Sequence, residues 1–209
     1  MLDHPLLDAL RQIVETGGPV VTILLCVSVI ALAVILYKLW QFRRARVGSH
    51  RSLHRSIALW DAGERTQARE IALQSKSYLT PVILTGFSAR DTDTAALSAR
   101  LNAEAEAEFL DLESGFRFLD NVAQLAPLLG LFGTVLGMIS AFQALQQAGN
   151  QVDPSILAGG IWVALLTTAV GLAVAMPASV ILSWFEQRIE AERVLAEQAI
   201  RTIVAPKHA

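Results

Sequence analysis

Ala126-Pro127-Leu128-Leu129-Gly130-Leu131-Phe132-Gly133-Thr134-Val135-Leu136-Gly137-Met138 is the stretch that decides the fold. It carries no charge and sits inside a longer uncharged run from Val122 to Leu145. As a helix rising 1.5 Å per residue, that run measures about 36 Å, enough to cross the ~30 Å hydrocarbon core of a bilayer. A second passage of the same character follows at Gly159-Gly160-Ile161-Trp162-Val163-Ala164-Leu165-Leu166-Thr167-Thr168-Ala169-Val170-Gly171-Leu172, within an uncharged run from Ile156 to Phe185. This one is long enough to cross with tilt or to project from the membrane.

Outward from these runs, the chain offers one more span. Val20 to Leu36 is apolar and continues past Lys38 to Trp40 and Phe42. A cleaved secretory signal would need basic residues before the apolar run and a small-residue cleavage site after it. Here Asp3, Asp8 and Glu15 precede the run while Lys38, Arg43, Arg44 and Arg46 follow, so a retained span is expected. The basic residues also set the orientation. Of the 17 Lys and Arg, only Arg11 precedes span one, and the connection Gln146 to Ser155 has none. The N-terminus and that connection are therefore expected outside, and residues 43–121 and the tail inside.

Composition agrees with this reading. Of the 209 residues 53% are hydrophobic and 17% charged, against about 25% charged in soluble domains. The net charge of −2 lacks the basic surface a nucleic-acid binder needs. Cys26, the single cysteine, excludes an intrachain disulfide and reads as a small buried thiol.

The polar segments read as helices. In residues 47–93, Ile57, Leu59 and Trp60 form one apolar cluster and Ala68, Ile71, Ala72 and Leu73 another, with Pro81 breaking the stretch before Val82 to Phe87. Ala96, Leu97, Leu101, Ala105, Phe109, Leu112 and Phe116 recur at helical spacing, with Glu104, Glu106, Glu108, Asp111 and Glu113 between them as a solvated face. Nothing near Asn121 breaks this helix, so it is expected to run on into span two as a rod of about fifty residues. The tail Glu186 to Val204 is expected to prolong span three, and His4 to Val14 to form an amphipathic helix on the outer membrane surface.

Enzyme constellations are not found. His50 and His54 have i,i+4 spacing but no third ligand, so no metal site is expected. No nucleophile elbow and no phosphate-cradling glycine loop occurs, and neither a catalytic function nor a cofactor is expected. The informative residues lie in spans two and three. Gly130, Thr134, Gly137 and Ala141 share one helical face; Gly160, Ala164, Thr168, Gly171 and Ala175 repeat the pattern, with Thr167 beside it. Small-residue stripes let membrane helices approach closely, and a hydroxyl in such a helix ordinarily bonds back to its own backbone. Thr134 and Thr168 also lie near mid-span, where hydroxyls from several subunits could hydrate a path or solvate a partner's charge.

Pro127 to Val135, followed by Gly160-Ile161, Ala164 to Ala169 and Gly171-Leu172-Ala173-Val174-Ala175-Met176-Pro177-Ala178, resembles the MotA/TolQ/ExbB proton-channel family, and most of all its ExbB branch. The resemblance is close over residues 95–190. It implies an all-α membrane protein of the bacterial inner membrane with three transmembrane helices and a periplasmic N-terminus. Its long second and third helices would extend into the cytoplasm. The layout would then be 1–18 periplasmic segment, 19–42 span one, 43–121 cytoplasmic helical domain, 122–145 span two, 146–155 periplasmic loop, 156–185 span three and 186–209 cytoplasmic tail. It further implies a homopentamer around an ExbD-like single-span partner whose membrane aspartate carries the proton, coupled to a TonB-like protein, with membrane lipids around it and no nucleic acid. By motif Thr134 and Thr168, with Thr167 adjacent, would line the pore. Gly130, Gly133, Gly137, Gly160, Ala164, Gly171 and Ala175 would pack helices, and Pro127 and Pro177 would kink them.

One departure stands out. Family members often read Gly-Ile-Ser-Glu-Ala-Leu where this chain has Gly160-Ile161-Trp162-Val163-Ala164-Leu165, so Val163 replaces an acid. No span here holds a carboxylate, and any proton relay would use hydroxyls, water and the partner's acid. The alternatives are a TolQ-like subunit for envelope constriction, a relative driving gliding or secretion, or a passive scaffold whose stripes only pack. A flagellar stator of the MotA type would need four spans and a larger cytoplasmic domain.

Overall fold

The computed structural model describes residues 5–89, 93–147 and 154–208. These are all-helical: α1 Pro5–Ala45, α2 Arg51–Asp61, α3 Arg65–Gln74, α4 Thr80–Ser88, α5 Thr94–Glu113, α6 Phe116–Gln147 and α7 Pro154–Val204. Three of them, α1 from Gly17 onward, α6 and α7, are long and apolar enough to cross a membrane. His4 and residues 148–153, which connect α6 to α7, fall outside the described residues. Of the expected N-terminal helix, Pro5 to Val14 is helical in backbone.

The chain divides into two compact units, one of residues 1–35 and 115–182, the other of residues 36–114 and 183–209. In the first, α1 is two helical stretches divided at Gly18, which takes φ 65° and ψ −158°. The cause is Pro19: its ring excludes the helical region for the residue before it and it offers no N–H to continue the ladder. Glycine supplies the left-handed φ at little cost. The apolar stretch thus starts afresh at Pro19, and Val20 and Leu24 pack with Ala126 of α6 and Ala175 of α7, flanked by Leu129, Val170 and Val174. Cys26 is exposed on this helix rather than buried.

In the second unit, α1 ends in a Schellman motif: Val47 N donates to Phe42 O (3.1 Å) and Arg46 N to Arg43 O (3.3 Å). Arg46 holds the left-handed position, φ 56°, which glycine usually fills. The polar helices follow in order, α2 on α3, α3 on α4 and α4 on α5. Their core is Leu53, Ala68, Ala72, Val82, Ile83, Phe87, Leu101 and Phe109, closed by Phe185, Ile189 and Ile200 of α7. Trp60 stacks on Phe87 at 4.0 Å with the Arg65 guanidinium 4.0 Å from its ring. Pro81 lies in the first turn of α4, where its missing N–H costs nothing. Leu73, assigned to an apolar cluster by the sequence, is exposed, while Ala68 and Ala72 are buried.

The long rod expected from Thr94 into span two does not form. Helix α5 stops at Glu113, Ser114 turns to ψ 131°, and Gly115 takes φ 86° before α6 begins. Lys38 contributes to the stop. It is 1% exposed, and its ammonium donates to Leu112 O (3.0 Å) and Ser114 Oγ (2.9 Å) as well as Gln41 Oε1 (2.7 Å). A cation on the last carbonyls of a helix satisfies acceptors that have no intrahelical partner.

Candidate functional site

The candidate site is the seam between α6 and α7. Without a hydrophobic force between helices in lipid, association depends on how closely backbones approach. Added Cβ atoms measure that approach. At Gly130 one would lie 2.9 Å from Thr167 O and 3.0 Å from Thr168 Cα; at Gly171, 2.6 Å from Ala126 O; at Gly137, 3.3 Å from Ala164 Cα. At Gly160 it would collide with Ala141. These neighbours are mostly backbone and cannot step aside.

Gly133 faces a side chain instead: an added Cβ would sit 2.7 Å from both Cβ and Oγ1 of Thr167. Thr167 is 2% exposed. Its hydroxyl is shared between Ala164 O on its own helix (2.7 Å) and Gly130 O across the seam (3.1 Å). The three threonines thus have different settings. Thr167 is inserted between the helices of its own chain. Thr134 is half-buried and bonds back to Leu131 O at 2.6 Å. Thr168 is half-buried at the edge of the seam, its Cα against Gly130. The buried face of α6 is Ala126, Gly130, Gly133 and Ala141, so Gly133 occupies the place the sequence periodicity gave to Thr134. On α7 the buried positions include Ala164, Thr167, Gly171, Ala175 and Ala178. Pro127 and Pro177 lie inside continuous helices. Val163, where the resemblance expects an acid, borders a cavity of about 520 Å³ shared with Thr167, Ser140, Gly133, Gly137 and Pro19.

This arrangement offers no acid, nucleophile or metal set, and no group of three or more metal-binding side chains exists among the described residues. What it offers is an uncharged, tightly seamed helix pair with hydroxyls at and beside the seam. Residues 74–198 match the MotA/TolQ/ExbB proton channel family. The chain belongs to this family. It is 31% identical over 163 residues to the biopolymer transport protein ExbB-like 1 of Synechocystis, a match covering 77% of this chain and 64% of that protein. The chain therefore spans less than two thirds of that relative. It is 27% identical over 184 residues to the biopolymer transport protein ExbB of Neisseria meningitidis, covering 81% and 83%. To the Tol-Pal system protein TolQ of Haemophilus influenzae it is 40% identical over 96 residues, covering 46% and 40%. A MotA/TolQ/ExbB subunit is a membrane transport component, which accords with the three apolar helices.

One polar cluster escaped the sequence. His50, set aside there with His54, is buried and meets Glu192 of α7, Nε2 to Oε2 at 2.6 Å. Tyr78 OH donates to the same carboxylate at 2.8 Å and Gly48 N at 2.7 Å, while Ser77 Oγ lies 3.0 Å from His50 Nδ1. Burial pushes the Glu192 carboxyl up, but the hydrogen bonds from His50 and Tyr78, the His50 charge and Gly48 N outweigh it and hold it below the usual carboxylate range. Burial and then Glu192 push the Tyr78 hydroxyl up. No sequence pattern joins residues so far apart in the chain.

Proposed function

We propose that this chain is an ExbB-like subunit of an inner-membrane motor driven by the proton-motive force, acting with an ExbD-like single-span partner to energise TonB-dependent import across the outer membrane. Membership of the family supports it, as do the relatives named ExbB that match most of the chain. The observation that carries the reading is the family match over residues 74–198, with half-buried Thr134 and Thr168 in spans that hold no carboxylate. A subunit built so lines a proton path and leaves the proton-carrying acid to its partner. In this reading the N-terminus is periplasmic, residues 43–121 and 186–209 are cytoplasmic, and several copies, five by analogy with the family, enclose the partner.

Thr168→Val tests it. The variant keeps shape and loses the hydroxyl, so the oligomer should assemble while partner-dependent nutrient uptake falls at least tenfold. Normal uptake would overturn the reading. The TolQ match favours a second reading, envelope constriction. Rescue of a strain lacking its Tol motor, with no rescue of one lacking its ExbB-type motor, would decide for it.

A further inference from the structure

The end of α1 carries a charge pattern that the seam does not use. Between Glu15 and Asp61 the chain has no acid at all, yet Lys38, Arg43, Arg44, Arg46, Arg51 and Arg55 fall in that stretch. Lys38 is committed to the end of α5. The five arginines are exposed, and none forms an ion pair with another described residue. Of the acids near the end of α1, Glu192 is taken by His50, Tyr78 and Gly48 N, and Asp111 lies against Gln41. Arg188 adds a sixth guanidinium against Gly48.

Two further observations give this patch a depth and a purpose. Tyr37 and Trp40, 55% and 54% exposed, stand one to three turns before the arginines, with the Arg44 guanidinium 5.3 Å over the Trp40 ring. Amphipathic rings at the end of an apolar helix mark the headgroup level of a bilayer. Arg46, moreover, holds a left-handed φ of 56° at the position where glycine would be unstrained. A strained non-glycine residue persists where its side chain is needed.

We propose that Arg43, Arg44, Arg46, Arg51 and Arg55 form a binding surface for the phosphates of anionic phospholipids, and that Arg46 keeps its strained backbone for that contact. The guanidinium fork matches phosphate oxygens in pairs, and the aromatic residues beside it select a lipid headgroup over a soluble anion. This inference does not depend on what the motor energises.

The full chain is purified in detergent containing equal phosphatidylglycerol and phosphatidylcholine, and retained lipid is measured by mass spectrometry. Thermal stability is followed in parallel. Phosphatidylglycerol should be enriched, and Arg46→Gly should reduce the enrichment about fivefold while raising the melting temperature in phosphatidylcholine alone by about 2 °C. Replacing Arg43, Arg44, Arg51 and Arg55 together by Gln should remove the enrichment. Unchanged enrichment in Arg46→Gly would overturn the proposal, as would a lowered melting temperature in phosphatidylcholine. So would stabilisation of the wild type by inorganic phosphate equal to that by phosphatidylglycerol.

Discussion

The two units hold helix α7 by opposite means. Around Gly160 to Ala178 the tightest contacts are with glycines, alanines and backbone carbonyls, with Val20, Leu24 and Leu129 about Ala175, and the hydroxyl of Thr167 that bonds across the seam is neutral. Around Glu192 to Arg201 the same helix is held by the buried Glu192 carboxylate, which His50 and Tyr78 bond, and by Arg193, which reaches Glu106 and Glu113 of α5 at 2.9 Å each. One helix is thus written in two chemistries. Lipid rewards close approach and tolerates little charge, whereas a water-facing unit can bury a charge once it is fully bonded.

The contrast can be broken at its tightest point first. Gly171→Leu forces a branched side chain against Ala126 O and Gly130, so no rotamer relieves it. A loss of more than about 3 kcal/mol is expected, seen as failure to recover folded protein in detergent. Glu192→Gln comes next. It leaves His50 and Tyr78 facing an amide, costing on the order of 3 kcal/mol in denaturant titrations. The pH dependence sharpens this. Because Glu192 is held below the usual carboxylate range, its stabilisation is complete above about pH 5 and is lost as pH falls through the depressed value. The variant should lose that part of the acid dependence, and an unaltered acid profile would show that other carboxylates carry it. Thr167→Val keeps the volume and loses the tether to Gly130 O, for about 0.6 kcal/mol. Arg201→Ala removes an exposed pair with Glu197 one turn away and should shift stability by less than about 0.5 kcal/mol. A large effect of Arg201→Ala beside a small one of Glu192→Gln would shift that unit's electrostatic stabilisation from its buried cluster to its exposed pair.

Much of the fold was legible because lipid restricts what a span can contain. Three apolar runs and their small residues follow from composition and a 3.6-residue period. Three features were not. Gly115 was visible, but only the meeting of its left-handed φ with the Lys38 ammonium at Leu112 O turns a glycine into a helix end. Along the seam, neighbouring positions on a helix lie about 100° apart, too coarse to decide between Gly133 and Thr134 or between Thr167 and Thr168. That choice depends on the partner helix's rotation. The His50–Glu192 pair was beyond reach for a different reason, since tertiary packing alone joins a turn after α1 to the far part of α7.

Gly133 and Thr167 constrain the order in which this seam can change over generations. A methyl group at 133 would strike the Cβ of residue 167 as well as its branch, so even alanine at 167 leaves no room. Drift at 133 must wait until 167 has become glycine and given up its hydroxyl. The two sites should therefore covary among descendants of this chain, with the intermediate that enlarges 133 first missing from the record.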